Sequence, residues 1–314
     1  MSPWVHPCLL GLLAAGAASA AEPPAGQPKP GADDLYDAGR QLFDQYAPPE
    51  VKQQYDYPSK EQFDDFLARV QRAYDSGTLK ELAAYEPQVR SALALLRVAP
   101  GYSDYADWLA ARLEEMNEAG RITAAESVPQ PAAPGPERKA PAAIPYYDRW
   151  FLRESSRPVP ARAAELMPGL RAAFAAEGVP PELAWLAEVE SSLNPLARNP
   201  SGARGLFQLM PETARSLGLS TFLPDERTDP GKSAHAAARD LRALRTRFGS
   251  WPLALAAYNA GEGRVQRALT ERHAHDFAGI AGALPGGTRM YVPEVCALVA
   301  VRTGVPPERL AAPR

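Results

Sequence analysis

The chain has 314 residues, of which 46% are hydrophobic and 23% are charged, and its formal net charge is −3. These proportions are ordinary for a globular protein of one large or two smaller domains. A slightly negative chain gives no electrostatic reason to expect binding to nucleic acid or to an anionic membrane surface.

Residues 8–20 form a short apolar run that ends in Ala18-Ser19-Ala20. An apolar core followed by small residues is typical of a secretory signal, and this run is too short to span a bilayer comfortably. We therefore predict a signal peptide over residues 1–20 and export to the periplasm or cell envelope. Because no Lys or Arg precedes the run, an uncleaved N-terminal anchor is the alternative, and nothing else implies membrane association.

Three further segments precede the C-terminal half of the chain. Residues 21–33 are rich in Pro, Gly and Ala and are predicted to be a disordered lead-in. Residues 34–122 are predicted to be a helical accessory region, a bundle of about four helices whose role the sequence does not indicate. One of its apolar faces consists of Tyr105, Trp108, Leu109, Arg112, Leu113 and Met116. Residues 123–145 contain six prolines and are predicted to be an extended linker.

Residues 146–314 are again helical in pattern, with Gly and Pro at the breaks and no sustained alternation typical of strands. The predicted fold class is therefore all-α. Cys296 lies in an apolar run and is predicted to be a buried small hydrophobe. The four histidines have no accompanying acidic or cysteine cluster, so we predict no metal site, and the sequence implies no cofactor.

Glu190 is the most informative residue of this half. Leu183, Leu186, Ala187 and Glu190 follow helical spacing, which places a carboxyl on an apolar face near the helix end that Asn194-Pro195 predicts. Burial and the negative end of a helix both disfavour the carboxylate, so the group is expected to remain protonated and able to donate a proton. A glutamate at the edge of the face, or one paired with an arginine, is the alternative.

Three ordered blocks of sequence carry a family resemblance. They are residues 190–214, beginning Glu-Ser-Ser-Leu-Asn-Pro, residues 256–265, Ala-Ala-Tyr-Asn-Ala-Gly-Glu-Gly-Arg-Val, and residues 288–292, Thr-Arg-Met-Tyr-Val. Together they resemble the Slt-type lytic transglycosylases of glycoside hydrolase family 23. Residues 178–187 are similar to the membrane-bound lytic transglycosylase D branch, although no C-terminal wall-binding repeat is recognisable. The resemblance implies a lysozyme-like catalytic domain over residues 146–314 and does not reach residues 22–120.

The resemblance also implies a reaction. Glu190 is expected to protonate the bond between N-acetylmuramic acid and N-acetylglucosamine in peptidoglycan glycan strands, the predicted partner. The same group, now ionised, is expected to accept a proton from the muramoyl 6-hydroxyl, giving a 1,6-anhydro product without water. Glu188, two residues away, is expected to be solvated or structural. A hydrolysing goose-type muramidase and a non-catalytic peptidoglycan-binding protein are the alternatives.

The resemblance assigns substrate contacts to a further set of residues: Ser201, Phe207, Gln208, Met210, Tyr258, Asn259 and Tyr291. Phe207 and Met210 are equally expected in a core, and Tyr258 and Asn259 equally at an ordinary helix end. Gly202 and Gly205 are expected either to let a loop approach Glu190 or to form a plain turn. Asn199 stands where the family often has serine, so Ser201 is expected to replace or supplement that contact.

Overall fold

The computed structural model describes residues 56–98, 103–127, 144–199 and 201–314, with scattered positions between 36 and 52. The predicted signal peptide, the lead-in and most of the predicted linker therefore lie outside the described residues. Within these ranges the chain contains helices, 3-10 turns and two isolated bridges, and no strand. The all-α prediction is confirmed.

The accessory region contains four helices whose bounds are described. They are α1, Lys60–Ser76; α2, Leu79–Ala83; α3, Glu86–Val98; and α4, Ser103–Glu126. Ser59 and Thr78 each accept a hydrogen bond from the third residue of the helix that follows, whose side chain bonds back to the cap. These capping boxes explain where α1 and α2 begin. Residues 123–126, which the sequence placed in the linker, belong to α4.

The remaining described chain folds into a second set of helices. They are α5, Tyr147–Ser155; α6, Ala163–Ala176; α7, Leu186–Ser191; α8, Pro211–Ser216; α9, Pro230–Phe248; α10, Trp251–Ala260; α11, Glu262–Arg272; α12, Phe277–Ala281; and α13, Gly286–Thr303. Short 3-10 helices lie at Pro181–Trp185, Glu226–Thr228 and Pro307–Arg309.

Two clusters of buried apolar side chains stabilise this arrangement. The larger one is formed by α6 to α13 and includes Phe174, Phe207 and Leu241. The smaller one joins Leu82 and Met116 of the accessory helices to Trp150 of α5 and to Met290 and Ala297 of α13. Helix α13 therefore has a face in each cluster, and the accessory helices share a core with the C-terminal helices.

Two further sequence predictions concern the apolar character of the chain. Cys296 of α13 is 2% exposed, which confirms that it is a buried small side chain. Among the described residues, no helix combines the length and the apolar composition needed to cross a membrane.

Candidate active site

Glu190 lies near the end of α7, at the centre of the C-terminal helices. The chain enters α7 from the 3-10 helix Pro181–Trp185, and the helix stops at Ser191 because Ser192 and Leu193 take left-handed conformations, with φ of 51° and 58°. The helix thus ends before the Asn194-Pro195 pair that the sequence indicated.

The Glu190 carboxyl is almost completely removed from water, since the residue is 8% exposed. The Tyr291 hydroxyl, on α13, donates a hydrogen bond of 2.5 Å to its Oε1 atom. Burial raises the pKa of Glu190 from 4.5 to about 7, while the Tyr291 hydrogen bond and the positive charge of Arg112 oppose that rise. A carboxyl with a pKa near neutrality can donate a proton and then accept one. These findings agree with the buried acid expected from the sequence.

Glu188 is also buried, with none of its surface exposed. Its side chain lies on another side of α7, where Arg302 donates to both carboxylate oxygens at 2.6 and 2.9 Å. Arg157 approaches the same carboxylate at 3.7 Å. Of the two expectations for Glu188, the solvated one is wrong and the structural one agrees with these ion pairs.

Hydrogen bonds from the Ser191 and Arg227 side chains to backbone carbonyls hold the loop after α7 in place. The Ser191 hydroxyl donates to the Leu206 carbonyl at 3.0 Å. The Arg227 guanidinium donates to the carbonyls of Gly202 at 2.8 Å and Leu209 at 3.0 Å. Gly205 has φ of 80°, and a Cβ there would lie 1.9 Å from the Arg227 carbonyl oxygen. The close approach that Gly205 allows is therefore to the 226–228 turn, not to Glu190.

Asn199, at the position where the family often has serine, has a structural role within this loop. Its Oδ1 accepts a hydrogen bond of 3.2 Å from the Ala203 amide, and its carbonyl accepts one of 3.0 Å from the Gly202 amide. Ser201 is exposed at the tip of the same turn. The Ser201 side chain is exposed and can contact a ligand, whereas Oδ1 of Asn199 is already hydrogen-bonded to the Ala203 amide.

The structure separates the three candidate contacts in the stretch 207–210. Gln208 has φ of 46° and donates from Nε2 to the Gly205 carbonyl at 3.0 Å, which leaves its Oε1 buried without a partner. Met210 is 42% exposed and accessible. Phe207 has no exposed surface and packs on Phe174 with ring centroids 5.6 Å apart. Its assignment to the sugar groove is therefore corrected: the ring lies in the larger apolar cluster, where removing its apolar surface from water is favourable.

Tyr258 and Asn259 lie at the end of α10. The Tyr258 hydroxyl donates to the Phe207 carbonyl at 2.7 Å and interacts electrostatically with Glu190. The Asn259 Oδ1 accepts a hydrogen bond of 2.8 Å from the Thr288 hydroxyl of α13. Gly261 ends the helix. Tyr258 therefore lies at an ordinary helix end and also interacts with the acid.

Three residues near Glu190 were not predicted to belong to the site, and all come from the accessory region. They are Tyr74 of α1 and Arg112 and Glu115 of α4, and each interacts electrostatically with Glu190. The only signal in the sequence was a charged residue, Arg112, on an otherwise apolar helical face. No group of three or more metal-ligating side chains occurs in the part of the chain that the structure describes.

Comparison with known proteins gives three findings. Residues 170–280 match the family model described as the transglycosylase SLT domain. The chain is 36% identical over 156 residues to membrane-bound lytic murein transglycosylase D of Escherichia coli strain K12, covering 47% of this chain and 34% of that protein. It is 41% identical over 100 residues to membrane-bound lytic murein transglycosylase F of Alcanivorax borkumensis, covering 29% and 20%.

Among solved structures, the 70-kDa soluble lytic transglycosylase of Escherichia coli aligns at a TM-score of 0.41 and 18% identity, over 88% of this chain and 63% of that chain. The sequence matches confirm the resemblance to Slt-type lytic transglycosylases. The chain spans about a third of the length of the transglycosylase D relative that it matches.

Proposed function

We propose that the protein is a peptidoglycan lytic transglycosylase, because residues 170–280 match the model of the transglycosylase SLT domain. The observation that carries the proposal is Glu190, a buried carboxyl whose pKa is raised to about 7 and whose oxygen accepts from Tyr291. The proposed substrate is the glycan strand, cleaved between N-acetylmuramic acid and N-acetylglucosamine.

Glu190 performs two proton transfers in the proposed reaction. It first gives its proton to the bridging oxygen, so that the bond to the muramoyl anomeric carbon breaks and the N-acetylglucosamine end departs with a hydroxyl. The Glu190 carboxylate then takes the proton of the muramoyl 6-hydroxyl as that oxygen bonds to the anomeric carbon. The acid is restored, no water is consumed, and the product is a 1,6-anhydro sugar.

Tyr291 stabilises the intermediate state of this cycle. Its hydroxyl already donates to Oε1 of Glu190, and a hydrogen bond to a carboxylate is stronger than one to the neutral acid. The bond therefore strengthens when Glu190 has lost its proton. This is the role we assign to Tyr291, in preference to direct contact with the sugar.

Substrate contacts are assigned to side chains of the loop after α7 and of the end of α10. Gln208 offers a buried carbonyl oxygen without a partner, which suits an acetamido N–H or a sugar hydroxyl. Met210 offers exposed apolar surface, and Ser201 an exposed hydroxyl. Tyr258 and Asn259 complete the assigned set at the end of α10.

A hydrolase is the second candidate because Glu115 is another buried carboxyl that interacts with Glu190. Hydrolysis with inversion needs a second carboxylate to activate water. One oxygen of Glu115 is instead paired with Arg112 at 2.9 Å, and this pairing favours the transglycosylase. The two candidates give products that differ by one molecule of water.

The test is digestion of purified sacculi by the full-length protein, followed by mass spectrometry of the released muropeptides. Anhydro products are expected, together with their loss in Glu190→Gln. Glu212→Gln, which changes an exposed carboxyl on α8, is the matched control and is expected to retain activity. Hydrated products exclude the transglycosylase, and binding to sacculi without release of fragments indicates a non-catalytic wall protein.

The proposed place of action is the cell envelope, where peptidoglycan lies. The membrane-bound names of the two sequence relatives and the apolar run at residues 8–20 support export. Whether the run is removed or kept as an anchor is tested by mass measurement of the mature protein.

A further inference from the structure

A polar cluster from the accessory region adjoins the proposed catalytic acid. Arg112 is 7% exposed and Glu115 has no exposed surface, although both side chains are ionisable. Arg112 forms an ion pair of 2.9 Å with Glu115 and donates to the Tyr74 hydroxyl. Its guanidinium also lies over the Tyr74 ring, 5.0 Å from the centroid. Such burial is expensive unless the groups are held together as these are.

Two glycines at the start of α13 allow the accessory helices to approach this closely. The Gly286 amide donates to the Gly77 carbonyl at 2.9 Å. A Cβ on Gly287 would lie 2.5 Å from the Tyr74 ring. One turn further along α13, Tyr291 donates to Glu190. The contact with the accessory helices and the contact with the acid are therefore made by the same stretch of helix.

Helix α4 also packs directly against α7, the helix that carries Glu190. The charged and titratable groups that interact with Glu190 are Arg112 and Glu115 from α4, Tyr74 from α1, Tyr258 from α10 and Tyr291 from α13. Within the described ranges, Arg112 is the one cation in this group. It also interacts with Glu294 of α13, a buried carboxyl whose pKa is raised by burial.

We propose that the accessory helices complete the active site, with Arg112 as a positioning residue that holds a positive charge toward Glu190 and is itself held by Glu115 and Tyr74. This inference rests on the proposed function. Arg112 makes no contact with the reacting atoms in the proposal. It acts by favouring the Glu190 carboxylate that exists between the two proton transfers, and Glu115, when ionised, limits that effect by carrying the opposite charge.

The charges predict opposite effects for two substitutions. Arg112→Met removes a cation, so the pKa of Glu190 rises. Burial raises the pKa of Glu115 to about 7, so Glu115 is an anion on the alkaline side of the profile. Glu115→Gln removes that anion and leaves Arg112 without this partner, so the pKa of Glu190 falls. Activity that requires protonated Glu190 declines as pH rises through this pKa. The alkaline limb of kcat/KM should therefore move to higher pH in Arg112→Met, by about one unit as is typical of a nearby opposite charge, and to lower pH in Glu115→Gln.

The experiment measures kcat/KM against pH for sacculus digestion by the full-length wild type, Arg112→Met, Arg112→Lys and Glu115→Gln. Arg112→Lys keeps the positive charge, so the alkaline limb of its kcat/KM profile is expected at the same pH as in the wild type. In parallel, the Glu190 carboxyl is titrated by carbon NMR in each folded variant, a readout that needs no activity. If Arg112→Met does not fold, Glu115→Gln alone tests the direction of the shift.

Shifts of opposite sign in the two variants support the inference. The inference is overturned if the pKa of Glu190 is unchanged in both variants or moves in the same direction in both. A loss of packing alone would not make the direction of the pKa shift depend on the charge that was removed. Failure of the proposed function is recognised separately, as wild-type protein that releases no anhydro fragments while the NMR shifts are still present.

Discussion

The Tyr291 hydroxyl lies 2.5 Å from Oε1 of Glu190 and donates to it, although the two residues are 101 positions apart in the chain. The bond joins the last long helix to the short helix that carries the acid. It also opposes the effect of burial on the pKa of Glu190, which is nevertheless raised to about 7. Both the position of the acid and its proton affinity therefore depend on α13.

Replacing Tyr291 by phenylalanine tests this dependence. Without the hydroxyl, the Glu190 carboxylate loses a donor, so the pKa of Glu190 should rise and the alkaline limb of kcat/KM should move to higher pH. The loss of a hydrogen bond to a charged group, about 1.5–3 kcal/mol, predicts a fall in kcat of roughly ten- to a hundredfold. The pH–rate profile of sacculus digestion measures both. An alkaline limb that moves to lower pH would contradict the assigned role.

The raised pKa of Glu190 also predicts how stability varies with pH. Because the folded-state pKa of about 7 exceeds the ordinary 4.5, ionisation of Glu190 opposes folding, and stability is lost as pH rises from about 4.5 through 7. Glu190→Gln removes this penalty. The variant should be more stable than wild type by about 3 kcal/mol at alkaline pH and equally stable at acid pH.

Urea unfolding of both proteins at about pH 4 and about pH 9 measures that difference, with exposed Glu212→Gln as the control that should show none. A Glu190→Gln variant whose advantage is the same at both pH values would mean that the carboxyl is ionised without cost in the folded protein.

Gly205 offers a test of the loop beside the acid. In Gly205→Ala the new Cβ would lie 1.9 Å from the Arg227 carbonyl, and the residue must also keep φ of 80°. Gly218 has nearly the same φ, 82°, with no atom within 4 Å of an added Cβ. Gly218→Ala should therefore cost about 1 kcal/mol of unfolding free energy from backbone strain alone. Gly205→Ala should cost at least about 2 kcal/mol more.

Denaturant unfolding of the two glycine variants in the full-length chain provides this comparison. Equal losses of stability would show that the Arg227 turn moves aside without cost, and the loop would then not be fixed in the way described.

Gly287 provides the corresponding test at the boundary with the accessory helices. An alanine there would place Cβ 2.5 Å from the Tyr74 ring, whereas at Gly282 nothing lies within 4 Å. Overpacking in a closed contact typically costs about 1–3 kcal/mol. Gly287→Ala should therefore lower the urea midpoint clearly more than Gly282→Ala. Similar midpoints would show that Tyr74 is displaced freely.

The residues predicted from sequence were those within one contiguous motif or one helical face. Glu190 could be identified because its apolar neighbours and the following motif lie within a few residues of it. Phe207 could not be assigned between core and groove, since both environments accept an aromatic side chain at that spacing. The ion pair of Glu188 with Arg302 joins positions 114 apart and has no local signature.

Arg112 was the most informative omission. The sequence placed it on one helical face with Leu109, Leu113 and Met116, and the structure shows that it is buried. Only tertiary packing determines what such a charge meets, and here α4 brings it beside α7. Periodicity therefore placed Arg112 on that face, and left its burial and its partner undetermined.

The smaller apolar cluster restricts how this protein can be divided. Met290 and Ala297 of α13 and Trp150 of α5 are covered by the accessory helices. A fragment cut within the linker would present these side chains to water and would invite aggregation. Despite the proline-rich stretch that separates them in sequence, the two halves are interdependent parts that cannot be exchanged as independent modules.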